Sequence, residues 1–159
     1  DFGVAFAKSQ MAVGSHLPMS GNVLITVRDE DKPKAARIAR RFHEAGFNIF
    51  STRGTWRLLK EAGIPAELIL KIQEGRPNVL DALMIGDVNL VINTPSHLGS
   101  RTAEAKIRRY AVLHRIPVIT TLAAGSAAIS AIEALQQRQL QVKALQDYHE
   151  GIAAADEGK

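Results

Sequence analysis

Five short apolar runs, each followed by a helical pattern, constrain the fold of this chain more than anything else in it. The first, Val23-Leu24-Ile25-Thr26-Val27, is rich in β-formers and shows no polar alternation. That is the pattern of a strand covered on both faces. Asn48–Ser51, Glu67–Leu70, Asp87–Ile92 and Pro117–Ile119 follow as further strands. Strand–helix alternation of this kind predicts an α/β domain, an open five-stranded parallel sheet with helices on both faces in three Rossmann-like layers. At 159 residues the chain is long enough for one such domain with a proper core.

The helices announce their ends. Asp29, Glu30 and Asp31 precede Lys32-Pro33, acids and a first-turn proline that together form a start signal. Ala35, Ile38, Ala39, Phe42 and Ala45 then share one face, and Lys34, Arg37, Arg40 and Arg41 read as the solvated one. Gly46 closes that helix at C′. Ser51-Thr52-Arg53-Gly54-Thr55 reads as a turn into a helix beginning near Trp56, with Thr52 or Thr55 as its cap and Gly54 making the turn. Leu58, Leu59 and Ala62 continue that helix until Gly63 and Pro65 stop it. Residues 71–77 form a polar loop before a short amphipathic helix with Val79, Leu80, Leu83 and Met84. A loop carrying His97 and Gly99 leads to a helix over 102–113. Thr120-Thr121 caps a last helix whose small residues, Ala123 to Ala131, let its backbone lie close to the sheet. The pattern weakens after Leu140, and 151–159 is expected to fray. Residues 1–20 stand apart: a short helix with Phe2, Val4, Phe6 and Met11, then a Gly- and Pro-containing linker, together a remnant of a neighbouring domain. The domain proper is expected over 21–150.

In open parallel sheets ligands bind beyond the carboxyl ends of the strands. Those ends offer Thr26 and Lys32, then Thr52 and Thr55, then Lys71, then Asn93 and Thr94, then Thr120 and Thr121. This is a ring of hydroxyl and amide groups with two lysines and almost no acid. It suits a phosphate, and the first N–H groups of the helix after Thr52 add a favourable dipole. It does not suit a metal, because the five histidines are scattered without ligand spacing. The formal net charge of +4 favours an anionic partner, but aromatics at 5% are too few for a nucleic-acid stacking surface. The absence of cysteine excludes disulfides and thiolate chemistry and fits a reducing, cytoplasmic setting. No apolar run reaches membrane-span length. There is no Gly-x-Gly-x-x-Gly turn, no P-loop and no nucleophile elbow, so hydride transfer and nucleotide hydrolysis have no local support.

Several stretches, in this order and spacing, resemble the methylglyoxal-synthase-like domain: Asp31-Lys32, Ser51-Thr52-Arg53-Gly54-Thr55, Glu74-Gly75-Arg76-Pro77, Val91-Ile92-Asn93-Thr94, Ile107-Arg108-Arg109-Tyr110 and Ile116-Pro117 with Thr120-Thr121. The version at the C-terminus of the carbamoyl-phosphate synthetase large subunit is most similar, and Phe2-Gly3-Val4-Ala5-Phe6-Ala7-Lys8 resembles the end of that subunit's preceding ATP-grasp half. The resemblance implies an allosteric domain that binds a nucleoside monophosphate such as UMP or IMP and does no catalysis. It implies a phosphate cradle of Lys32, Thr52, Thr55 and Lys71, with Asn93, Thr94 and Thr26 toward the base or ribose. The implied partners are the rest of the large subunit and the glutaminase small subunit, without nucleic acid or membrane. This domain itself would need no cofactor, since ATP, Mg and K would belong to the synthetase domains.

Three departures bear on the transfer. Pro95 stands where relatives often carry a threonine, Ala103 where an acid is usual with Glu104 beside it, and Val118-Ile119 where ornithine-responsive relatives carry tyrosine and aspartate. Methylglyoxal synthase itself is the enzymatic alternative, but the loop after Gly75 holds no acid before Asp81. The purine-pathway cyclohydrolase domain would need a Gly-Gly-Arg-Val-Lys-Thr-Leu-His stretch that is missing. An interaction module with a vestigial pocket completes the alternatives.

Overall fold

The computed structural model describes residues 16–96 and 102–156, the last four of these by backbone alone. The opening helix expected within residues 1–15, and His97 and Gly99, lie outside these residues. In chain order the elements are β1 (Asn22–Thr26), α1 (Lys32–Glu44), β2 (Asn48–Ser51), α2 (Arg53–Glu61), β3 (Glu67–Leu68), α3 (Val79–Met84), β4 (Leu90–Asn93), α4 (Ala103–Leu113), β5 (Val118–Ile119) and α5 (Leu122–Asp156). Single 3-10 turns at Asp29–Asp31 and Ile72–Glu74 precede α1 and α3.

All strand pairs are parallel, in the order β3-β2-β1-β4-β5. The chain builds outward from β1 to β3, then returns to the other side of β1 for β4 and β5. The switch point lies between β1 and β4, where Val23 to Thr26 pair with Leu90 to Asn93. Both faces are covered, which explains the missing polar alternation. Val23, Ile25, Leu90 and Ile92 point into a core with Ile38, Phe42, Leu59, Ile129 and Ile132 of α1, α2 and α5. Leu24 and Val91 point the other way, into Val79, Leu83, Ile107 and Ala111 of α3 and α4. Phe42 meets Phe47 edge-on, with ring centroids 5.3 Å apart.

Four local expectations change. Helix α2 begins at Arg53, so Gly54 and Thr55 lie in its first turn. β3 is two residues long, with Leu70 bridging Asn78 in isolation. Arg41 is not part of a solvated face: its guanidinium reaches both carboxylate oxygens of Glu133, at 3.1 and 2.6 Å, and Ser130 Oγ at 2.9 Å. α5 crosses α1 there and turns Ser130 and Glu133, three residues apart, toward it. Finally, the weakening after Leu140 does not end α5. Gln, Leu, Lys and Ala sustain a helix without an apolar-core pattern, and the backbone is helical through Asp156, into the segment expected to fray.

Candidate functional site

The site starts with two paired residues at the switch point. Thr26 ends β1 and Asn93 ends β4, directly opposite in register. Asn93 is fully buried. Its Nδ2 donates to Thr26 Oγ1 at 2.6 Å, and its Oδ1 accepts from Arg108 Nη1 of α4 at 3.0 Å. Next to them Thr94 Oγ1 accepts from the Arg28 N–H at 2.9 Å. Thr55, in the first turn of α2, accepts from the Val27 N–H at 3.4 Å. A hydroxyl carries one donor and two acceptor positions. Thr26, Thr55 and Thr94 each spend an acceptor position on the protein, which leaves the O–H of each to donate. Thr52 occupies the N-cap position of α2 in extended conformation, yet its side chain makes no cap bond. The capping role expected of Thr52 or Thr55 is therefore not taken up, and the first N–H groups of α2 keep no side-chain cap.

Lys32 opens α1 and leans across to this helix start. A Cβ built on Gly54 would lie 2.9 Å from Lys32 Nζ. Gly54 thus does not make a turn. It leaves room for the ammonium beside the α2 N-terminus. Lys32 Nζ is paired with Asp29 Oδ1. That bond and the Lys32 charge hold the Asp29 carboxyl below its ordinary range, and the charge of Lys71 lowers it further.

These residues line one cleft with two lobes. The inner lobe, about 150 Å³, is bounded by Thr26, Thr52, Lys71, Asn93 and Thr94, with apolar walls from Ile72, Val79 and Ile107. The outer lobe, about 350 Å³, takes in Lys32, Gly54, Thr55, Thr52 and Lys71. All seven residues singled out in the sequence (Thr26, Lys32, Thr52, Thr55, Lys71, Asn93 and Thr94) therefore meet in one place. Thr120 and Thr121 of the ring do not line it; Thr121 Oγ1 accepts from the Ala124 N–H at 3.1 Å as a helix cap.

The expectation of almost no acid is overturned. Asp29, Glu30 and Glu104 line the outer lobe. Asp29 and Glu30 belong to a 3-10 turn that folds them back over the start of α1, where Asp31 pairs with Arg28 Nε at 2.8 Å instead of capping. Glu104 sits in the first turn of α4, with Ser96 Oγ donating to it at 3.4 Å. Glu104, Ile107 and Arg108 share the face of α4 turned to the sheet, so the spacing of three and four was the available signal for Glu104 and Arg108. For Asp29 the available signal was its position three residues before Lys32.

Asp81 stands elsewhere. It accepts from the Asn78 N–H at 2.8 Å as the third residue of α3 and from the Arg76 guanidinium, which holds its carboxyl low. It lines a separate apolar hollow with Phe50, Leu68 and Ile85. A proton-moving carboxylate for methylglyoxal chemistry is not supplied to the cleft from Asp81. Among the described residues no group of three or more acids or histidines could hold a metal, and no helix is long and apolar enough to cross a membrane.

This arrangement, a threonine-lined cleft at the switch point of a five-stranded parallel sheet, agrees with what the chain is similar to. The family model described as MGS-like domain matches residues 34–120. The chain belongs to the MGS-like domain family. It is 50% identical over 151 residues to the carbamoyl phosphate synthase large chain of Archaeoglobus fulgidus, covering 94% of this chain and 14% of that protein. It is 42% identical over 145 residues to the C-terminal section of the large chain from Aquifex aeolicus, covering 91% of this chain and 27% of that one. This MGS-like domain thus spans about one-seventh of the full-length relative. The methylglyoxal synthase of Elizabethkingia anophelis has the same fold, with a TM-score of 0.58 at 15% identity over 72% of this chain and 80% of that one.

Proposed function

We propose that this MGS-like domain is the effector-binding part of a carbamoyl phosphate synthase large chain, and that the cleft holds a nucleoside monophosphate of the UMP or IMP kind. The observation that carries this reading is the Thr55 hydroxyl, with one acceptor position spent on the Val27 N–H and its proton left to donate, lining one lobe with Lys32 and Lys71 at the uncapped N-terminus of α2. Hydroxyl donors, ammonium groups and a helix N-terminus together recognise a phosphate. The outer lobe, with Lys32, Thr52, Thr55 and Lys71, takes the phosphate. The inner lobe, with Thr26, Asn93 and Thr94 and the apolar walls, takes the base. Glu104 at the rim offers an acceptor for ribose hydroxyls, in place of the acid missing at Ala103.

The work of such a domain is regulation rather than catalysis. An effector shifts a distant equilibrium only by binding its two states with different affinity. The parent's synthetase domains, with their ATP, Mg and K, and its glutaminase subunit would receive that shift in the cytoplasm. Titration calorimetry with UMP, IMP and inorganic phosphate tests the reading. Lys32→Ala is expected to weaken binding by about tenfold or more, the loss of one charge-assisted contact. Neither heat nor a thermal shift with millimolar ligand would leave the cleft without an effector and favour the vestigial module.

A further inference from the structure

A second hollow lies behind the turn that bounds the cleft. It is a groove of about 550 Å³ between α1 and α5, lined by Asp31, Lys34, Arg37 and Arg41 and, from α5, by Ser126. Asp31 is the one acid lining it among the described residues, and Arg28 already answers that charge at 2.8 Å. Arg28 in turn lines the cleft, so groove and cleft share the 3-10 turn as a common wall. Lys34, Arg37 and Arg41 stand at i, i+3 and i+7, one row along α1, and like charges so spaced disfavour a helix. Arg41 is compensated by Glu133. Lys34 and Arg37 are exposed, and among the described residues no ion pair or hydrogen bond engages either side chain. Two cations are thus held in a groove with nothing in the described domain to offset their repulsion.

The row decides what kind of partner fits. From Lys34 to Arg41 it runs about 10 Å along α1, the reach of three or four residues of extended chain. Arg41 cannot swing to join the other two on one small anion, because Glu133 and Ser130 hold its Nε and Nη2. Its Nη1 has only a long bond to Ser126 Oγ, at 3.5 Å on the groove wall, and keeps donor capacity for a carboxylate. No aromatic ring lines the groove to stack a base. We propose that this groove docks an acidic segment of polypeptide, with two or more carboxylates along an extended stretch, and that the segment belongs to the remainder of the synthase large chain. The second part rests on this domain being one section of such a chain, as its one-seventh share of the full-length relative supports. Tethering in one polypeptide gives the segment a high effective concentration. Exposed ion pairs, weak one by one, then suffice to hold it.

A hexaglutamate peptide titrated into this chain at low salt is the test. Saturable binding is expected, falling as salt screens it. Lys34→Ala with Arg37→Ala should weaken it by about tenfold or more. Both side chains are exposed and alanine favours helix, so that variant keeps the fold. Arg138→Ala with Lys143→Ala removes the same charge from the exposed far half of α5 and should change binding less than about twofold. In the full-length large chain carrying this domain, zero-length carbodiimide coupling should join Lys34 to a carboxylate outside the domain, read by mass spectrometry. Absence of saturable peptide binding, equal weakening by both double variants, or coupling of Lys34 only within the domain would overturn the proposal. So would loss of inorganic phosphate binding, but not of peptide, on removing Lys34 and Arg37, since the groove would then be a small-anion site. Peptide binding without UMP binding would overturn the effector reading alone, and UMP binding without peptide binding would overturn this proposal alone.

Discussion

Gly54→Ala separates two roles that one residue could have at a helix start. The added Cβ would stand 2.9 Å from Lys32 Nζ. Ordinary contact needs ~3.5 Å or more, so the ammonium must retreat by at least about 0.6 Å. The lysine tip is flexible, and folding loses little by its retreat. Alanine is also the better helix former, by about 0.5–1 kcal/mol in an interior and less in a first turn. A stabilisation of about 0.5 kcal/mol raises Tm by about 2 °C in a domain of this size. Phosphate binding should move the opposite way. A charge-assisted contact contributes about 1.5–3 kcal/mol, and displacing its donor should forfeit much of that, so a weakening of about tenfold is expected. Differential scanning fluorimetry and phosphate calorimetry on the same preparation read both signs. Unchanged affinity together with a raised Tm would refute the reasoning, because Gly54 would then be no more than a poor helix residue. A Tm lowered by several degrees would refute it too, by showing that Lys32 cannot move.

Two further predictions follow from the acids. Asp29 pairs with Lys32 in the free site, so an arriving phosphate competes with it; Asp29→Asn should tighten phosphate binding a few-fold in calorimetry, opposite in sign to Lys32→Ala, and weaker binding would contradict the competition. Asp81 has its carboxyl held low by hydrogen bonds from Arg76 and from the Asn78 N–H. A depressed folded-state value gives stability that is fully present above the ordinary carboxylate pKa near ~3.9 and lost as pH falls through the lower folded value. Asp81→Asn should therefore lower Tm at neutral pH and leave a smaller further drop below about pH 4 than the unchanged chain shows; parallel Tm-against-pH curves would contradict it.

Much of this molecule was legible in the sequence because its core obeys simple periodicity. Val23 to Val27 read as a strand covered on both faces, and β1 is; β4, read as Asp87–Ile92 from its apolar run, is packed on both faces too. A parallel sheet places its strand ends together, so Thr26, Thr52, Asn93 and Thr94 could be gathered before any coordinates. Most of what stayed hidden depends on approach between distant parts, and the rest on the local path of a 3-10 turn. Gly54 reads as a turn residue because glycine signals turns locally, yet its reason here is a lysine 22 positions earlier. Arg41 reads as surface from its helix alone, and its partner Glu133 lies 92 residues away. Asp29 reads as a helix-start acid, and only the 3-10 turn shows it facing Lys32 and Lys71. The length of α5 was hidden for another reason. Helix propensity without a core-facing stripe sustains backbone but leaves no burial pattern.

The contact between Arg108 and Asn93 settles which way protons point on the floor of the cleft. A guanidinium can only donate, so the Asn93 amide must turn its oxygen to Arg108 and its nitrogen to Thr26. Turned the other way, it would set donor against donor in a fully buried place. Thr26 is thereby made the receiver, and its own proton faces outward. The charge on α4 thus fixes a polarity two residues away: a carbonyl edge arriving at Thr26 finds a donor, and an amino edge finds only the one acceptor position that Asn93 leaves.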